Sequence, residues 1–472
     1  MFAPARRSSL LLLVVACHGG QDAPVDSRPP GHDSPPPGHE SPADTADSAD
    51  TADTASTPAP IITFEGKPPA NLLVISIDTV QRAQLDRYSG SASTPFLDGL
   101  LEDAVVMDDL HSCSAWTLPG ISCSLAGVRP EELGVLPHIA ADGVTGDLPD
   151  GTPTLAGELT AAGFRTSLVA ANVYFTSPDI TAGYSTSLVE GGEYATWVTD
   201  QGILAAAELD GAERWMLHVH YLDPHLPYAP PEQYLGELEG RQRTRYDLAT
   251  TAGMHELVDA WSTLDEATQA EVKAQLLIRY HGELSYVDDE ISRLWDALGA
   301  AGMVDDTLVL VWTDHGEQIF EHGTLGHAGS LYAEENDGFA AWRATGLAPG
   351  AWTGPTTQED ILPTTLVALG IPVPDGVSGI PVGQASDDRP RFAALWQSGH
   401  APAQAVQVGE KELIYEWEGH KQFFRRGRDP EQQENAYRPT DPDVIALWDL
   451  LTPEVARIQA IAPDETPVHP GP

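Results

Sequence analysis

Four long apolar runs constrain this chain most. They are NLLVISIDT (71–79), RTSLVAAN (165–172), RWMLHVHYLDPH (214–225) and DTLVLVWTDHG (306–316). Each is apolar over most of its length, so each reads as a strand buried on both faces, the signature of a parallel sheet. Helical patterns lie between and after them: TPFLDGLLEDA (94–104), TLAGELTAAG (154–163), ELSYVDDEISRLWDALGAAG (283–302) and QEDILPTTLVALG (358–370). The alternation predicts an α/β layered fold, a mostly parallel sheet flanked by helices. Three of the strands end in Asp or His: Asp78, then Asp223 and His225, then Asp314 and His315. Ligands of open parallel sheets bind beyond the carboxyl ends of the strands, so these side chains are expected to converge.

The texture changes after Ala385. RFAALWQ (391–397), AQAVQVGEKELIYEWEG (403–419) and KQFFRRG (421–427) have short strand character, and DVIALWDLL (443–451) reads as a helix. Residues 386–472 are therefore expected to form a smaller antiparallel C-terminal subdomain and tail, with the main domain at 69–385.

The N-terminus belongs to neither. Arg6 and Arg7 precede an apolar run from Leu10 to Ala16, too short for a mature membrane span and suited to an export signal. The ending LVVAC resembles the lipobox of bacterial lipoproteins. That resemblance implies cleavage of residues 1–16, a lipid on Cys17 and attachment to a bacterial membrane, at its periplasmic face or the cell surface. The alternative is a plain signal with a chance cysteine. Residues 17–68 are rich in Pro, Asp, Ser, Thr and Ala, with too few large apolar groups to offset chain entropy, and are expected to be a disordered tether.

The chain has 25 basic and 70 acidic residues, a formal charge of −45. Residues 18–60 hold eight acids and one Arg, which explains only −7, so the folded body is itself strongly acidic. Such a field repels polyanions, and no nucleic-acid partner is expected. An anionic substrate then needs a local positive centre such as a metal ion.

The stretch CSAWTLPGISCSLAG (113–127) carries Cys113 and Cys123 on either side of Thr117. In an oxidising compartment they suit either a local disulfide or two buried thiols.

These segments resemble, in order from about residue 70 to 385, the sulfatase branch of the alkaline phosphatase superfamily. In that family an Asp ending the first strand and a DH or DN pair ending a later one bind a divalent metal. The resemblance places those roles on Asp78, Asp314 and His315. Two carboxylates and an imidazole are a sound donor set for one divalent ion, whether Ca, Mn, Mg or Zn, and the histidine leans toward Mn or Zn.

The family's nucleophile lies in a C/S-x-P-x-R pattern at a helix start. Here Thr117-Leu118-Pro119 falls at that point, and proline suits a first helical turn. Neither cysteine fits the pattern. Sulfatases of this family oxidise Cys or Ser to formylglycine, which threonine cannot give. Members with threonine resemble phosphodiesterases, phosphatases and phospho-head-group transferases, and form a phospho-threonine intermediate. The implied substrate is thus a phosphoric, or less readily a sulfuric, ester, small or close to the membrane.

His225 in DPHLPY and His327 in GHAGSLY occupy positions that touch substrate or leaving group in the family. His220 and His322 are read as structural hydrogen bonders, Glu283 and Asp288 as braces, and Trp116 as packing around the nucleophile's turn. Several family features are missing. Ile121 replaces the Arg of the pattern, ANVYF (171–175) replaces a Lys- and His-bearing segment, VQRAQ (80–84) lacks a second Asp, and ENDGF (335–339) replaces an apolar run. A second reading therefore stays open: a weak or inactive binding module on the same scaffold.

Overall fold

The computed structural model describes residues 62–471, except 63, 65, 90–91, 137, 141–142, 146–147, 239–243, 397–401, 463–466 and 468–469. The expected signal, Cys17 and the tether up to residue 61 lie outside the described residues. At the end of the tether stretch, Ile62 is buried and Phe64 bridges to Leu347, so the chain already packs on the body there. Among the described residues no helix is long and apolar enough to cross a membrane.

The main sheet has nine strands. They are β1 (Asn71–Ile77), β2 (Val105–His111), β3 (Arg165–Ala170), β4 (Thr186–Val189), β5 (Trp215–Tyr221), β6 (Thr307–Thr313), β7 (Asp337–Arg343), β8 (Gly350–Trp352) and β9 (Thr356–Thr357). The spatial order is β8-β2-β7-β6-β1-β5-β3-β4, with β9 beside β2. Strand β1 pairs in parallel with β5 and β6, and β3 in parallel with β4 and β5. Strand β7 runs antiparallel to β2 and β6. The sheet is thus mostly parallel, with its central strands those that the apolar runs predict.

Burial on both faces follows from the largely apolar runs. Leu73, Ile75 and Ile77 enter one core, and Leu72 and Val74 enter the opposite one. The first core is covered by α1 (Pro95–Glu102), α4 (Ala195–Leu209) and α5 (Glu266–Ala300). The second is covered by α2 (Thr117–Ala126), α3 (Leu155–Ala161) and α6 (Ile361–Ala368). Asp288 on α5 accepts from Phe96 N at 3.0 Å and Leu97 N at 2.7 Å, bracing the start of α1.

The C-terminal sheet is antiparallel, β10 (Arg391–Leu395), β11 (Ala403–Val408), β12 (Lys411–Glu416) and β13 (Lys421–Arg425), in that order. Its side chains alternate. Val406, Leu413 and Phe423 pack under α7 (Pro442–Ile461), and Ala405, Ile414 and Phe424 join the main core. Helix α7 runs ten residues past the sequence expectation, through Pro453, because Val455 and Ile458 continue its apolar stripe.

The few arginines are spent on joining these parts. Arg426 of the C-terminal sheet and Arg82 both meet Asp337, at 2.7 and 2.9 Å, and Arg426 also meets Glu412 at 2.8 Å. Burial alone would raise the Asp337 carboxyl, but Arg426 and Arg82 override it and hold it well below the carboxylate range. A depressed carboxyl stabilises the fold above its unfolded pKa, near 4, and loses that contribution as pH falls further. Asp337→Asn is expected to cost about 3 kcal/mol at neutral pH, because it strands two part-buried guanidinium groups. Urea unfolding should show that gap at pH 7 and its shrinkage below about pH 4. Equal stabilities at pH 7 would remove the pair from the account of how the two sheets are joined.

Candidate metal centre and cleft

The carboxyl ends of β1, β3, β5 and β6 open onto one site. Asp78, Asp314 and His315 are fully buried and offer ligand atoms within 4.8 Å of one another. His315 Nε2 lies 3.7 Å from Asp78 Oδ1 and 3.6 Å from Asp314 Oδ2. Both of those carboxylate oxygens lack a hydrogen-bond partner. Unpaired buried oxygens are costly, and their convergence fits a cation.

The imidazole is set to join them. His315 Nδ1 lies 2.8 Å from the Gly316 carbonyl, so Nδ1–H donates there and Nε2 keeps its lone pair toward the carboxylates. Burial, aided by the nearby His327, lowers the His315 pKa to about 3, so the ring is neutral. Burial would raise the Asp78 carboxyl, but the contact with His220 and the neighbouring His225 hold it low. Burial and the charge of Asp78 push Asp314 well up. A divalent ion would take the place of the proton that Asp314 keeps. The donor set therefore fits the metal that its chemistry implies.

Backbone geometry supports the trio. Thr79 sits at φ 54°, a left-handed conformation that is strained for a β-branched residue. This turn lets Thr79 N donate to Asp314 Oδ1 at 3.2 Å, where His315 N also donates, at 2.8 Å.

Thr117 opens α2, with Pro119 in its first turn and no side chain capping its start. Thr117 Oγ1 lies 3.2 Å from His315 Nε2. The close approach depends on Gly120, where a Cβ would meet the Asp314 carbonyl oxygen at 3.0 Å. Cys113 and Cys123 are joined in a disulfide, resolving the two readings of the sequence; it ties the loop before Thr117 to α2. Gln358 locks the same loop, accepting from Cys113 N at 2.9 Å and donating to the Thr313 carbonyl at 3.2 Å.

His225 and His327 stand beside this centre. The His327 ring is 4.6 Å from that of His315 and 4.9 Å from that of His225. His327 Nδ1 lies 2.8 Å from Glu317 Oε1, whose other oxygen accepts from Tyr228 OH at 2.7 Å. Burial would lower the His327 pKa, but Glu317 outweighs it and raises it. The Glu317 carboxylate thus favours the protonated form of His327 at the cleft wall.

All six site residues taken from the sequence meet here: Asp78, Thr117, His225, Asp314, His315 and His327. Others were passed over. Asn172 Nδ2 donates to Asp78 Oδ2 at 2.6 Å, from the segment judged only for missing Lys and His. Its position at the end of a predicted strand was the available signal. His220, read as structural, lies 3.5 Å from Asp78 Oδ2. A buried chain runs on behind it: His220 Nδ1 to Ser76 Oγ at 2.8 Å, Ser76 Oγ to His218 Nε2 at 2.8 Å, and His218 Nδ1 to Tyr184 OH at 2.7 Å. His322 stacks on Tyr332 away from the centre. Arg82, next to the first strand's end, is turned to Asp337 and offers nothing to the site.

A cleft of about 360 Å³ leads to Thr117, lined also by Trp116, Asn172, Tyr174, His225 and His327. Trp116 packs edge-on against Tyr174, at 5.8 Å between ring centres.

The sulfatase family model matches residues 70–371, the span that supplies every residue of this centre. The chain belongs to the sulfatase family. Within it, the chain is 24% identical to the choline-sulfatase of Rhizobium meliloti (strain 1021), covering 82% of this chain and 88% of that protein. The fold is similar to that of BT4656, solved in complex with its substrate D-glucosamine-2-N,6-O-disulfate (TM-score 0.67, 17% identity, 85% of this chain and 99% of that one). It is also similar to the phosphonate monoester hydrolase of Silicibacter pomeroyi (TM-score 0.59, 17% identity, 84% and 96%). The α/β sheet with its C-terminal antiparallel sheet is thus the sulfatase fold.

Proposed function

We propose that this sulfatase-family chain is a metal-dependent ester hydrolase that attacks a phosphoric ester through Thr117. One observation carries the reading: the Thr117 hydroxyl stands at a helix start, 3.2 Å from the neutral nitrogen of His315, beside two unpaired carboxylate oxygens. A divalent ion held by Asp78, Asp314 and His315 would polarise the ester oxyanion and favour the ionised hydroxyl. Thr117 Oγ1 then bonds to phosphorus as the bond to the alcohol oxygen breaks. The leaving oxygen takes its proton from the wall of His225 and His327, and the proton released by Thr117 passes to water in the cleft. Water next attacks phosphorus, frees phosphate and restores the hydroxyl. Where an acceptor alcohol replaces water, the same steps make a transferase. The helix start favours the anion throughout.

Threonine cannot become formylglycine, which supports phosphate over sulfate as the group transferred. Ile121, fully buried, removes a guanidinium from the anion, so modest rates are expected. Cleavage of p-nitrophenyl phosphate or its diester should exceed that of p-nitrophenyl sulfate by at least about a hundredfold, roughly 2.7 kcal/mol in the barrier. Faster sulfate cleavage would overturn the assignment. Bound metal with no turnover of any ester would leave a binding module instead. The resemblance of the N-terminus to a lipoprotein signal supports export and lipid attachment through Cys17.

A further inference from the structure

His225 rides on a loop, residues 223–229, that leaves the carboxyl end of β5 and lines the cleft. Its ring Nδ1 lies 2.6 Å from the Leu226 carbonyl, so Nδ1–H donates there, and Nε2 has no partner among the described residues. Two buried carboxyls, unused in the chemistry above, close this loop at its ends. Asp223 Oδ2 accepts from Ala195 N at 2.6 Å, at the start of α4, where the side chain of Tyr194 supplies no cap. Glu283, on α5, accepts through Oε1 from Ala229 N at 2.6 Å. The two carboxyls are also hydrogen-bonded to each other.

Two carboxyls in contact away from water do not both ionise, so one keeps a proton. Asp223 stands at a helix start, which favours the charge. No N–H reaches Glu283 Oε2, which leaves that oxygen to carry the proton and donate to Asp223. Burial holds the Asp223 carboxyl up at about 6, and burial with the charge of Asp223 pushes Glu283 higher still. The other titratable groups facing the pair are Arg279 and Tyr286 on α5, His225 on the loop, and Glu193 and Tyr194 at the cleft rim. Arg279 eases the charge of Glu283, but burial and Asp223 outweigh it.

Resting on the reading of Thr117 as the attacking group, we propose that Asp223 and Glu283 are positioning residues: a clasp closed by one proton, which sets His225 where it protonates the leaving alcohol oxygen. The clasp ties both ends of the loop to α4 and α5. His225 therefore keeps its place while the Thr117 oxygen bonds to phosphorus and the bond to the alcohol oxygen breaks.

The test compares the metal-loaded native protein with Glu283→Leu and Glu283→Gln. Leucine opens the clasp. Glutamine keeps it, since its amide N–H donates to Asp223 and its oxygen accepts from Ala229 N. Phenolate is a far poorer leaving group than p-nitrophenolate and depends more on an acid. Glu283→Leu should lower kcat/KM at least about thirtyfold for phenyl phosphate and less than about threefold for p-nitrophenyl phosphate. Glu283→Gln should bring both back to within about threefold of native. An equal loss on both esters, or glutamine as poor as leucine, is what a packing role predicts and overturns the proposal. Urea unfolding adds a readout without turnover. Between about pH 5 and about pH 6 the folded pair holds a proton that unfolded carboxyls have shed, so its contribution to stability falls as pH rises. The native unfolding constant should rise about tenfold per pH unit relative to that of Glu283→Gln. Parallel curves overturn the clasp, whether or not the leucine variant folds. Native protein that cleaves neither ester overturns the Thr117 reading and the catalytic role of the clasp together. Native cleavage with no leaving-group effect of leucine overturns the clasp's role alone.

Discussion

Thr117→Ala should lower kcat by at least about a thousandfold on every phosphoric ester that the protein cleaves. The substitution removes one hydroxyl at the first turn of α2, where alanine is well tolerated, so thermal unfolding should shift little. It leaves Asp78, Asp314 and His315 in place, and metal content should stay near that of the native protein. Thr117→Ser keeps the hydroxyl and should retain activity within about a hundredfold of native. This pattern distinguishes a nucleophile from a packing residue. A packing defect would lower stability and would not be rescued by serine. Normal turnover in the alanine variant would move the chemistry elsewhere in the cleft.

Removing the metal should have an effect of similar size and a second readout. Chelation should abolish turnover, and addition of Mn or Zn should restore it. The trio is buried and its free oxygens converge, so a bound ion should also stabilise the fold, by about 2.7 kcal/mol at a hundredfold excess over Kd. Asp314→Asn should weaken metal binding by about a hundredfold or more and erase the cation-dependent rise in melting temperature. The stability readout does not depend on choosing the right ester. Chelator-resistant turnover, with identical melting curves in the two states, would contradict the metal assignment.

The parts of this molecule that were legible in sequence are those where physics leaves few options. A strand buried on both faces must be apolar along its length, so β1, β3, β5 and β6 stand out, and their polar ends mark the site edge. Asp78 and the Asp314–His315 pair could be placed because each follows such a run. Helix α5 was harder. Its first turns, from Glu266, are mostly polar, and the apolar stripe that defines the buried part emerges only later. The bridge between Cys113 and Cys123 was undecidable, since a spacing of ten suits both a disulfide and two separate thiols. Asn172 and Glu317 were missed for another reason. Each acts through a partner, Asp78 or His327, and a positioning role depends on three-dimensional neighbours that no local pattern encodes. Glu283 looked like a brace in sequence. Its Ala229 contact is one, and its carboxyl also meets that of Asp223.

The most direct measurement is rapid acid quenching during turnover of a phosphoric ester, followed by mass spectrometry of the peptide that contains Thr117. A phosphoryl group on the Thr117 oxygen, appearing within one turnover and missing from Thr117→Ala, is the expected result. Sustained hydrolysis with an unmodified Thr117 peptide at every quench time, and undiminished rates in Thr117→Ala, would contradict it.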